Sequence, residues 1–293
     1  MTSTETIDPR YVGLDTWDDA AILAAMIEGQ RRAVEAVATA TPALAAAATA
    51  IVPRLKAGGR LVYAGAGSSG IIAALDGIEL LGTYGWPEDR VAFVLASGER
   101  LAPLTGGEED DEGLARDGIA RLGLGPTDVV IAVAASGTTP YTLAAVAAVR
   151  AVGGLTIGVA NNAGAPLLAA SDVPVLLDSG HEIITGSTRM GAGTAQKAAL
   201  NLLSTLIMIR LGHVHDGLMV NLRADNRKLC GRSIRIIRAI TGCAEGDAVA
   251  ALDATDGSVK RAVLVVAAGL SPAEAEAVLA AAGDSLRTAL DKA

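Results

Sequence analysis

Short apolar runs alternate with helix-like segments through the middle of the chain, and this alternation limits the fold more than any other feature. The predicted strands are Arg60–Ala66, Val91–Ala96, Asp128–Ser136, Leu155–Asn161 and Val173–Asp178. The predicted helices between them are Ser69–Leu81, Glu112–Leu122 and Pro140–Val152. Strands that are apolar on both faces lie in parallel sheets covered by helices on both sides. The pattern therefore predicts an α/β fold with a parallel sheet.

Apolar residues at three- and four-residue spacing predict helices on either side of this region. Before it, Ala21–Val37 and Leu44–Leu55 form two such patterns, with Thr41 as the cap of the second helix and Pro42 in its first turn. Later helices are predicted at about Ala192–Leu211, Ala224–Ile240, Asp247–Asp253, Ser258–Ala268, Pro272–Ala282 and Leu286–Lys292. We divide the chain into an N-terminal helical segment (1–57), a central α/β domain (58–241) and a small C-terminal helical domain (242–293).

The charge balance and the scarcity of aromatic residues exclude several classes of partner. The 293 residues include 24 Lys and Arg against 32 Asp and Glu, a net charge of −8, and only 2% are aromatic. Acidic chains repel phosphate backbones, and single-strand binders need aromatic stacking platforms. No apolar stretch approaches the roughly 20 residues of a membrane helix. We therefore expect neither nucleic-acid nor membrane partners.

The few cysteines and histidines argue against a disulfide framework or a metal site. Cys230 and Cys243 are too few for either, which favours the reducing cytoplasm. His213 and His215 lie near a predicted helix end, where surface histidines are commoner than ligands. We expect no metal.

Two loops of glycine and small hydroxyl residues follow the first and third predicted strands. Their candidate ligand-binding residues are Gly67, Ser68, Ser69, Ser136, Gly137, Thr138 and Thr139. Ligands of parallel α/β sheets bind at the carboxyl ends of strands, and backbone N–H groups at helix starts favour anions. The alternative is that the glycines permit tight turns and the hydroxyls cap helices. Because two such loops occur in one sheet, we favour a phosphate site.

The first loop also matches the dinucleotide fingerprint G-x-G-x-x-G at 65–70. However, the next strand ends in Ser97-Gly-Glu99 rather than in a clean acidic residue about 20 positions on. No phosphate-loop lysine follows either glycine loop. We therefore expect neither a nicotinamide cofactor nor nucleoside triphosphate hydrolysis.

Carboxylates in two places could move protons at such a site. Glu79 lies in the apolar run Leu75–Leu81, where it is either an exposed or ion-paired helix residue or a partly desolvated acid. The acidic run Gly106–Glu112 is either a solvated loop before a helix or the source of a second acid. Two carboxylates at one phosphosugar site would serve as base and acid.

A third polar tract, 181–197, precedes the long apolar helix. Its candidate substrate contacts are Ser187 and Thr188 as hydroxyl donors, Arg189 as an anion partner and Glu182 as a third acid. This density of polar groups exceeds what a helix cap requires.

Six ordered motifs together resemble the N-acetylmuramic acid 6-phosphate etherases. They are GAGSSG (65–70), LDGIE (75–79), AASGTTPY (134–141), EIITGSTRMGAGTAQK (182–197), LNLLSTLIMIRLG (200–212) and LMVNLRADNRKL (218–229). That family has the sugar isomerase (SIS) fold and is related to glucokinase regulatory proteins. The likeness extends over nearly the whole chain, from Thr4-Glu5 to the helical tail.

The resemblance implies a SIS-type three-layer α-β-α sandwich, a phosphosugar substrate and a homodimer. It also implies that the reaction needs no cofactor. It implies cleavage of the D-lactyl ether of N-acetylmuramic acid 6-phosphate in peptidoglycan recycling. The family's proton-donor glutamate falls on Glu79. Its second acid falls on Glu109, with Glu108 as an alternative because the alignment there needs a short gap.

Three positions that are usually basic in the family are not basic here: Ile71, Thr138 and Gly191. The tract after the glutamate also departs, reading Leu80-Leu-Gly-Thr83. Each lost cation could contribute roughly 1–3 kcal/mol to anion binding. A non-catalytic phosphosugar sensor therefore stays as an alternative to the etherase. An aldose–ketose isomerase is a further alternative, because it uses the same abstraction of the C2 proton.

Overall fold

The computed structural model describes residues 3–98, 106–222 and 227–293. The strands are β1 (Leu61–Gly65), β2 (Val91–Leu95), β3 (Val129–Val133), β4 (Leu155–Ala160), β5 (Val173–Leu176), β6 (Val214–His215) and β7 (Leu218–Met219). The helices up to the end of the sheet are α1 (Asp19–Thr39), α2 (Thr41–Lys56), α3 (Gly67–Tyr84), α4 (Glu112–Leu122), α5 (Pro140–Ala151) and α6 (Pro166–Ala170). The later helices are α7 (Gly191–Arg210), α8 (Arg227–Thr241), α9 (Glu245–Ala254), α10 (Val259–Ala268), α11 (Pro272–Ala281) and α12 (Leu286–Leu290).

Strands β1–β5 form one parallel sheet in the order β2-β1-β3-β4-β5. Successive side chains of β1 point to opposite faces. On one face, Val62 packs in a buried cluster with Ile119 of α4 and Val146 of α5. On the other, the Tyr63 ring lies against Gly77 of α3. Helices therefore cover both faces, and the predicted parallel α/β sandwich is confirmed.

The strand order changes direction between β1 and β3. These neighbours pair in register from Leu61 with Val129 to Gly65 with Val133. In open sheets of this order, ligands bind at the carboxyl ends of the strands beside the reversal. Both predicted hydroxyl loops leave the sheet at that point.

A buried carboxylate fixes α3 against the sheet and α7. Asp76 is 1% exposed and accepts hydrogen bonds from Tyr63 Oη at 2.6 Å, Asn201 Nδ2 at 2.6 Å and Ser204 Oγ at 3.1 Å. Three donors offset the cost of removing a carboxylate from water. Burial raises the pKa of Tyr63, and the nearby Asp76 carboxylate adds to the shift, so the phenol keeps its proton as donor.

The chain divides into two compact units that differ from the predicted domains 1–57, 58–241 and 242–293. The first comprises Met1–Gly77 and Asp89–Ser204, and the second comprises Ile78–Glu88 and Thr205–Ala293. Helix α2 belongs with the sheet because it packs against β3 and β5. Helix α8 belongs with the C-terminal helices because Ile236 and Ile237 share a buried cluster with α9 and α10.

The second unit contains a short antiparallel hairpin, β6–β7, that apolar spacing did not predict. The expectation of surface histidines is wrong, because His213 and His215 are 7% and 8% exposed. His213 Nδ1 lies 2.8 Å from the Tyr84 carbonyl oxygen. The cap of α2 is also corrected: Ala40 is the N-cap and Thr41 is the first helical residue. The first three residues of the helix predicted from Ala224 lie outside the described residues.

In the described part of the chain, no single helix is long and apolar enough to cross a membrane. Two bent helix pairs, α1 with α2 and α10 with α11, reach that length and apolarity only when each pair is taken together.

The close approach of α3 to the sheet predicts opposite effects for two glycines of that helix. A Cβ at Gly77 would lie 2.7 Å from Phe93 Cε1 and 2.8 Å from the Tyr63 ring, whereas one at Gly82 would meet no described atom within 4 Å. We expect Gly77→Ala to destabilise the protein by about 1–3 kcal/mol through overpacking. Gly82→Ala should stabilise it by about 0.5–1 kcal/mol, because alanine is the better helix former. Chemical denaturation of both variants measures this, and equal effects would contradict it.

Candidate active site

The first hydroxyl loop is a tight strand-to-helix turn. A Cβ at Gly65 would lie 2.9 Å from the Val133 carbonyl oxygen, and one at Gly70 would lie 2.9 Å from the Gly65 carbonyl oxygen. The outer glycines of the fingerprint are therefore explained by packing. Ser68 and Ser69 lie in the first turn of α3 and are partly exposed. N–H groups in a first turn lack acceptors within the helix, so they are available to an anionic group.

Glu109 lies close to the start of α3 because Gly67 has no side chain there. Gly67 has φ +54°, and a Cβ there would lie only 2.6 Å from Glu109 Oε1. The turn that carries Glu109, Gly106–Asp110, also contacts α5, the helix that follows the second hydroxyl loop. Glu109 therefore lies beside the start of α3 on a turn packed against α5. The contact with Gly67 is made by Glu109, which favours it over Glu108 as the second acid.

The surroundings of the Glu109 carboxyl shift its pKa. Burial raises the pKa of Glu109, and the neighbouring carboxylates of Asp110 and Glu108 raise it further. A carboxyl with a raised pKa is a stronger base when ionised and holds a proton closer to neutral pH. This partial desolvation is what an acid–base group needs.

The second hydroxyl loop holds its own conformation through Ser136. The backbone N and the Oγ1 of Thr138 donate to Ser136 Oγ at 3.2 and 3.1 Å. Gly137 has φ +68°, and a Cβ there would lie 2.4 Å from the Ala165 Cβ. Thr139 is the N-cap of α5, but its side chain makes no capping hydrogen bond. The capping alternative for Thr139 thus lacks support in the described residues.

The polar tract before α7 has a structural role that the sequence did not reveal. Glu182 is 3% exposed, and its two oxygens accept hydrogen bonds from the backbone N of Gly191 at 2.9 Å and of Ala192 at 2.8 Å. Glu182 therefore caps the start of α7. Ser187 and Thr188 lie partly exposed in the preceding turns, and Arg189 is exposed. Substrate contact by these four residues stays a prediction.

Glu79 is exposed on α3, next to the exposed Leu75 and Ile78. Of the two alternatives for Glu79, a partly desolvated acid and an exposed helix residue, the second describes its position in this chain. Glu79 belongs to the second compact unit, whereas Glu109 belongs to the first. Its role in proton transfer stays a prediction.

The sequence patterns did not single out two buried asparagines that directly follow β4. Asn161 is 0% and Asn162 is 2% exposed. Asn161 Nδ2 donates to the Leu177 carbonyl at 3.0 Å, and Gln196 Nε2 donates to Asn161 Oδ1 at 2.9 Å. The available signal was a polar pair directly after a buried strand, at the edge where ligands bind.

This arrangement suits a small anionic substrate and the movement of a proton. It combines two helix starts, exposed or partly exposed hydroxyls and one carboxyl with a raised pKa. Within residues 3–98, 106–222 and 227–293, no group of three or more His, Cys, Asp or Glu side chains is placed to hold a metal ion.

The raised pKa of Glu109 predicts a pH-dependent effect of Glu109→Gln on stability. An acid whose pKa is raised by folding stabilises the folded state below its unfolded pKa and loses that contribution as pH rises through the folded pKa. We therefore expect the stability of Glu109→Gln relative to wild type to increase as the pH rises from about 4 to about 8. Urea denaturation at both pH values measures the change. The matched control is Asp117→Asn, an exposed carboxylate of α4, and a Glu109→Gln difference that does not grow with pH would contradict the prediction.

Comparisons with known proteins agree with this fold. The model of the SIS domain matches residues 27–161. The N-acetylmuramic acid 6-phosphate etherase of Deinococcus radiodurans is 50% identical over 98% of this chain and 94% of its own length. That of Rubrobacter xylanophilus is 43% identical over 98% of this chain and 95% of its own.

Among solved structures, a phosphoheptose isomerase from Francisella tularensis has a TM-score of 0.51 at 22% identity. It covers 66% of this chain and 100% of its own, and the likeness shows the fold alone. Full-length identity at this level confirms the resemblance carried by the six motifs. The chain has the SIS fold and belongs to the N-acetylmuramic acid 6-phosphate etherase family.

Proposed function

We propose that the protein cleaves the D-lactyl ether of N-acetylmuramic acid 6-phosphate, giving N-acetylglucosamine 6-phosphate and D-lactate. The observation that carries the proposal is the Glu109 carboxyl, whose pKa is raised and which lies at the start of α3 beside the topological switch point. Membership of the etherase family over nearly the whole chain supports the same substrate.

The reaction needs acid–base chemistry and no oxidant. The sugar ring opens to the C1 aldehyde, which acidifies the C2 proton. A base removes that proton, the electrons form the C2=C3 double bond, and the C3–O bond breaks. The lactyl oxygen takes a proton from an acid as it leaves. Water then adds its OH to C3 and a proton to C2, so the net reaction is hydrolysis.

We assign the two carboxyls to these steps. Glu109 is the base at C2, because a raised pKa makes its carboxylate a better proton acceptor. Glu79 is the proton donor to the leaving lactate, an assignment that rests on its match to the family's motif. Both are thus proposed as catalytic residues.

We assign the phosphate ester to the second hydroxyl loop rather than the first. The Glu109 carboxylate already lies at the start of α3, where it would repel a dianion. The 12-residue helix α5 begins next to Ser136, Gly137, Thr138 and Thr139, whose hydroxyls and N–H groups can donate to phosphate. Gly67, Ser68 and Ser69 then face the sugar.

The remaining candidates, Glu182, Ser187, Thr188 and Arg189, are proposed to border the same substrate. Arg189 is exposed and is the one guanidinium among them. It is the group best suited to pair with the lactyl carboxylate or the phosphate. Thr138 offers a hydroxyl where the family usually has an arginine, so binding here depends more on neutral donors.

Loss of either proposed catalytic carboxyl should abolish most turnover. With N-acetylmuramic acid 6-phosphate as substrate, we expect Glu79→Gln and Glu109→Gln each to lower kcat by at least about 100-fold, as for loss of a general acid or base. D-lactate release measures this. The matched control is Glu112→Gln, an exposed glutamate on α4, and full activity in Glu79→Gln would refute its assigned role.

The D-lactate assay, combined with two further measurements, separates the alternatives. Tight binding of the phosphosugar by calorimetry without D-lactate release would favour a sensor. Interconversion of aldose and ketose phosphates without lactate would favour an isomerase. The replacement of three usually basic positions by Ile71, Thr138 and Gly191 is the feature that keeps the sensor under test.

We also propose that the protein forms a homodimer in which α1 contributes apolar contacts. Leu23, Ile27 and Val34 are 59%, 52% and 54% exposed, and their spacing places them along one side of the helix. Exposed apolar stripes of this kind commonly mark interfaces between protein chains.

A charge on this stripe should dissociate the dimer. We expect Ile27→Asp to be monomeric at concentrations where wild type is dimeric, because a carboxylate would be buried without a partner. Sedimentation velocity measures the mass. Val152→Asp, at an apolar residue 44% exposed just after α5, is the control that should stay dimeric; a dimeric Ile27→Asp would count against this interface.

We propose that the reaction takes place in the cytoplasm as a step of peptidoglycan recycling. Neither Cys230 nor Cys243 forms a disulfide bond, which suits a reducing compartment.

A further inference from the structure

The first residues that the structure describes are held by one buried asparagine. Thr4 is 0% exposed and lies in the turn Ser3–Glu5. Asn162 Oδ1 accepts from Ser3 Oγ at 2.9 Å and from the Thr4 N at 3.3 Å, while Asn162 Nδ2 donates to Thr4 Oγ1 at 3.2 Å. We call Ser3, Thr4 and Asn162 the N-terminal clasp.

The side-chain amide of Asn162 also connects the clasp to the second hydroxyl loop. Asn162 Nδ2 also donates to the Ala135 carbonyl at 2.9 Å, and the Asn161 N donates to that carbonyl at 3.0 Å. Ala135 directly precedes Ser136. The amide of Asn162 thus uses both hydrogens and its oxygen, so movement of Thr4 disturbs the bond that positions this loop.

The clasp also holds the turns before α7. His181 Nδ1 lies 2.9 Å from the Ser3 carbonyl oxygen, and the Gly186 N donates to the Thr4 carbonyl at 3.0 Å. Gly186 directly precedes Ser187. Residues far apart in the sequence, at 4, 135 and 186, are therefore joined through one small buried network.

We propose that Thr4 and Asn162 are positioning residues that hold the 135–139 and 186–189 loops in one substrate-binding geometry. The inference rests on the proposed function, because both loops carry its proposed substrate contacts. Neither residue touches the reacting atoms. Their effect is on the placement of hydroxyl and N–H donors, and small misplacements of binding groups weaken the hold on a substrate.

The test compares two replacements of the same buried hydroxyl. Thr4→Val keeps the shape but removes the acceptor for Asn162, whereas Thr4→Ser keeps the acceptor and loses one methyl group. We expect Thr4→Val to raise KM for N-acetylmuramic acid 6-phosphate about tenfold with kcat within about twofold, because these loops hold ground state and transition state alike. Thr4→Ser should stay within about twofold of wild type in both constants. Thr49→Val, at an exposed threonine of α2, is the control.

Hydrogen exchange without substrate gives a second readout that does not depend on activity. In Thr4→Val and in Asn162→Ala, amides of residues 135–139 and 186–189 should exchange faster, while those of α4 should not change. If Asn162→Ala fails to fold, the Thr4 pair still decides the question.

Unchanged KM and unchanged exchange in folded Thr4→Val would overturn the inference. Damage in Thr4→Ser that exceeds the damage in Thr4→Val would also overturn it, because packing of the methyl group rather than the hydroxyl would then be responsible. If wild type releases no D-lactate and binds no phosphosugar, the proposed function fails. Exchange of the two loops in the variants then still supports or rejects the clasp by itself.

Discussion

The pairing of β1 with β3 is the constraint on which the site depends. Parallel strands end at the same edge, so the register that places Gly65 beside Val133 also places the two hydroxyl loops beside each other. Each loop leads directly into a helix, α3 or α5, whose first N–H groups point back toward that edge. The anion binding that we propose for this edge therefore depends first on strand order, before any charged side chain is considered.

Three carboxylates of the first compact unit have different surroundings. Asp76 accepts three side-chain hydrogen bonds and Glu182 accepts two backbone ones, so both serve to hold helices in place. Glu109 instead is partly buried next to two further carboxylates, which raises its pKa. The net charge of −8 therefore does not describe every carboxylate alike, because Asp76 and Glu182 are bound to hydrogen-bond donors and the pKa of Glu109 is raised.

Local patterns predicted most of the helices, the five strands of the parallel sheet and the glycine loops, because those elements depend on neighbours in sequence, but they did not predict α6 or the β6–β7 hairpin. The boundaries of α4 match the prediction, and those of α5 and α10 differ by one residue. What the patterns missed depends on distant partners. The burial of His213 requires the Tyr84 carbonyl, and the capping by Glu182 requires the start of α7. The role of Asn162 depends on its hydrogen bonds to Thr4 and to the Ala135 carbonyl, which are far away in the sequence. Local patterns singled out Glu79 and the acidic run Gly106–Glu112, and the resemblance chose Glu109 and implied the roles of both; the contact at Gly67 concerns only Glu109.

Gly67 has a different structural role from the one that the dinucleotide fingerprint at 65–70 predicts. In dinucleotide-binding proteins, the middle glycine lets a pyrophosphate approach the backbone. Here the space above Gly67 is taken by a carboxylate from the protein itself. A glycine at the middle of this motif can therefore make room for a carboxylate of the same chain, and counting the glycines alone does not distinguish that role from the approach of a pyrophosphate.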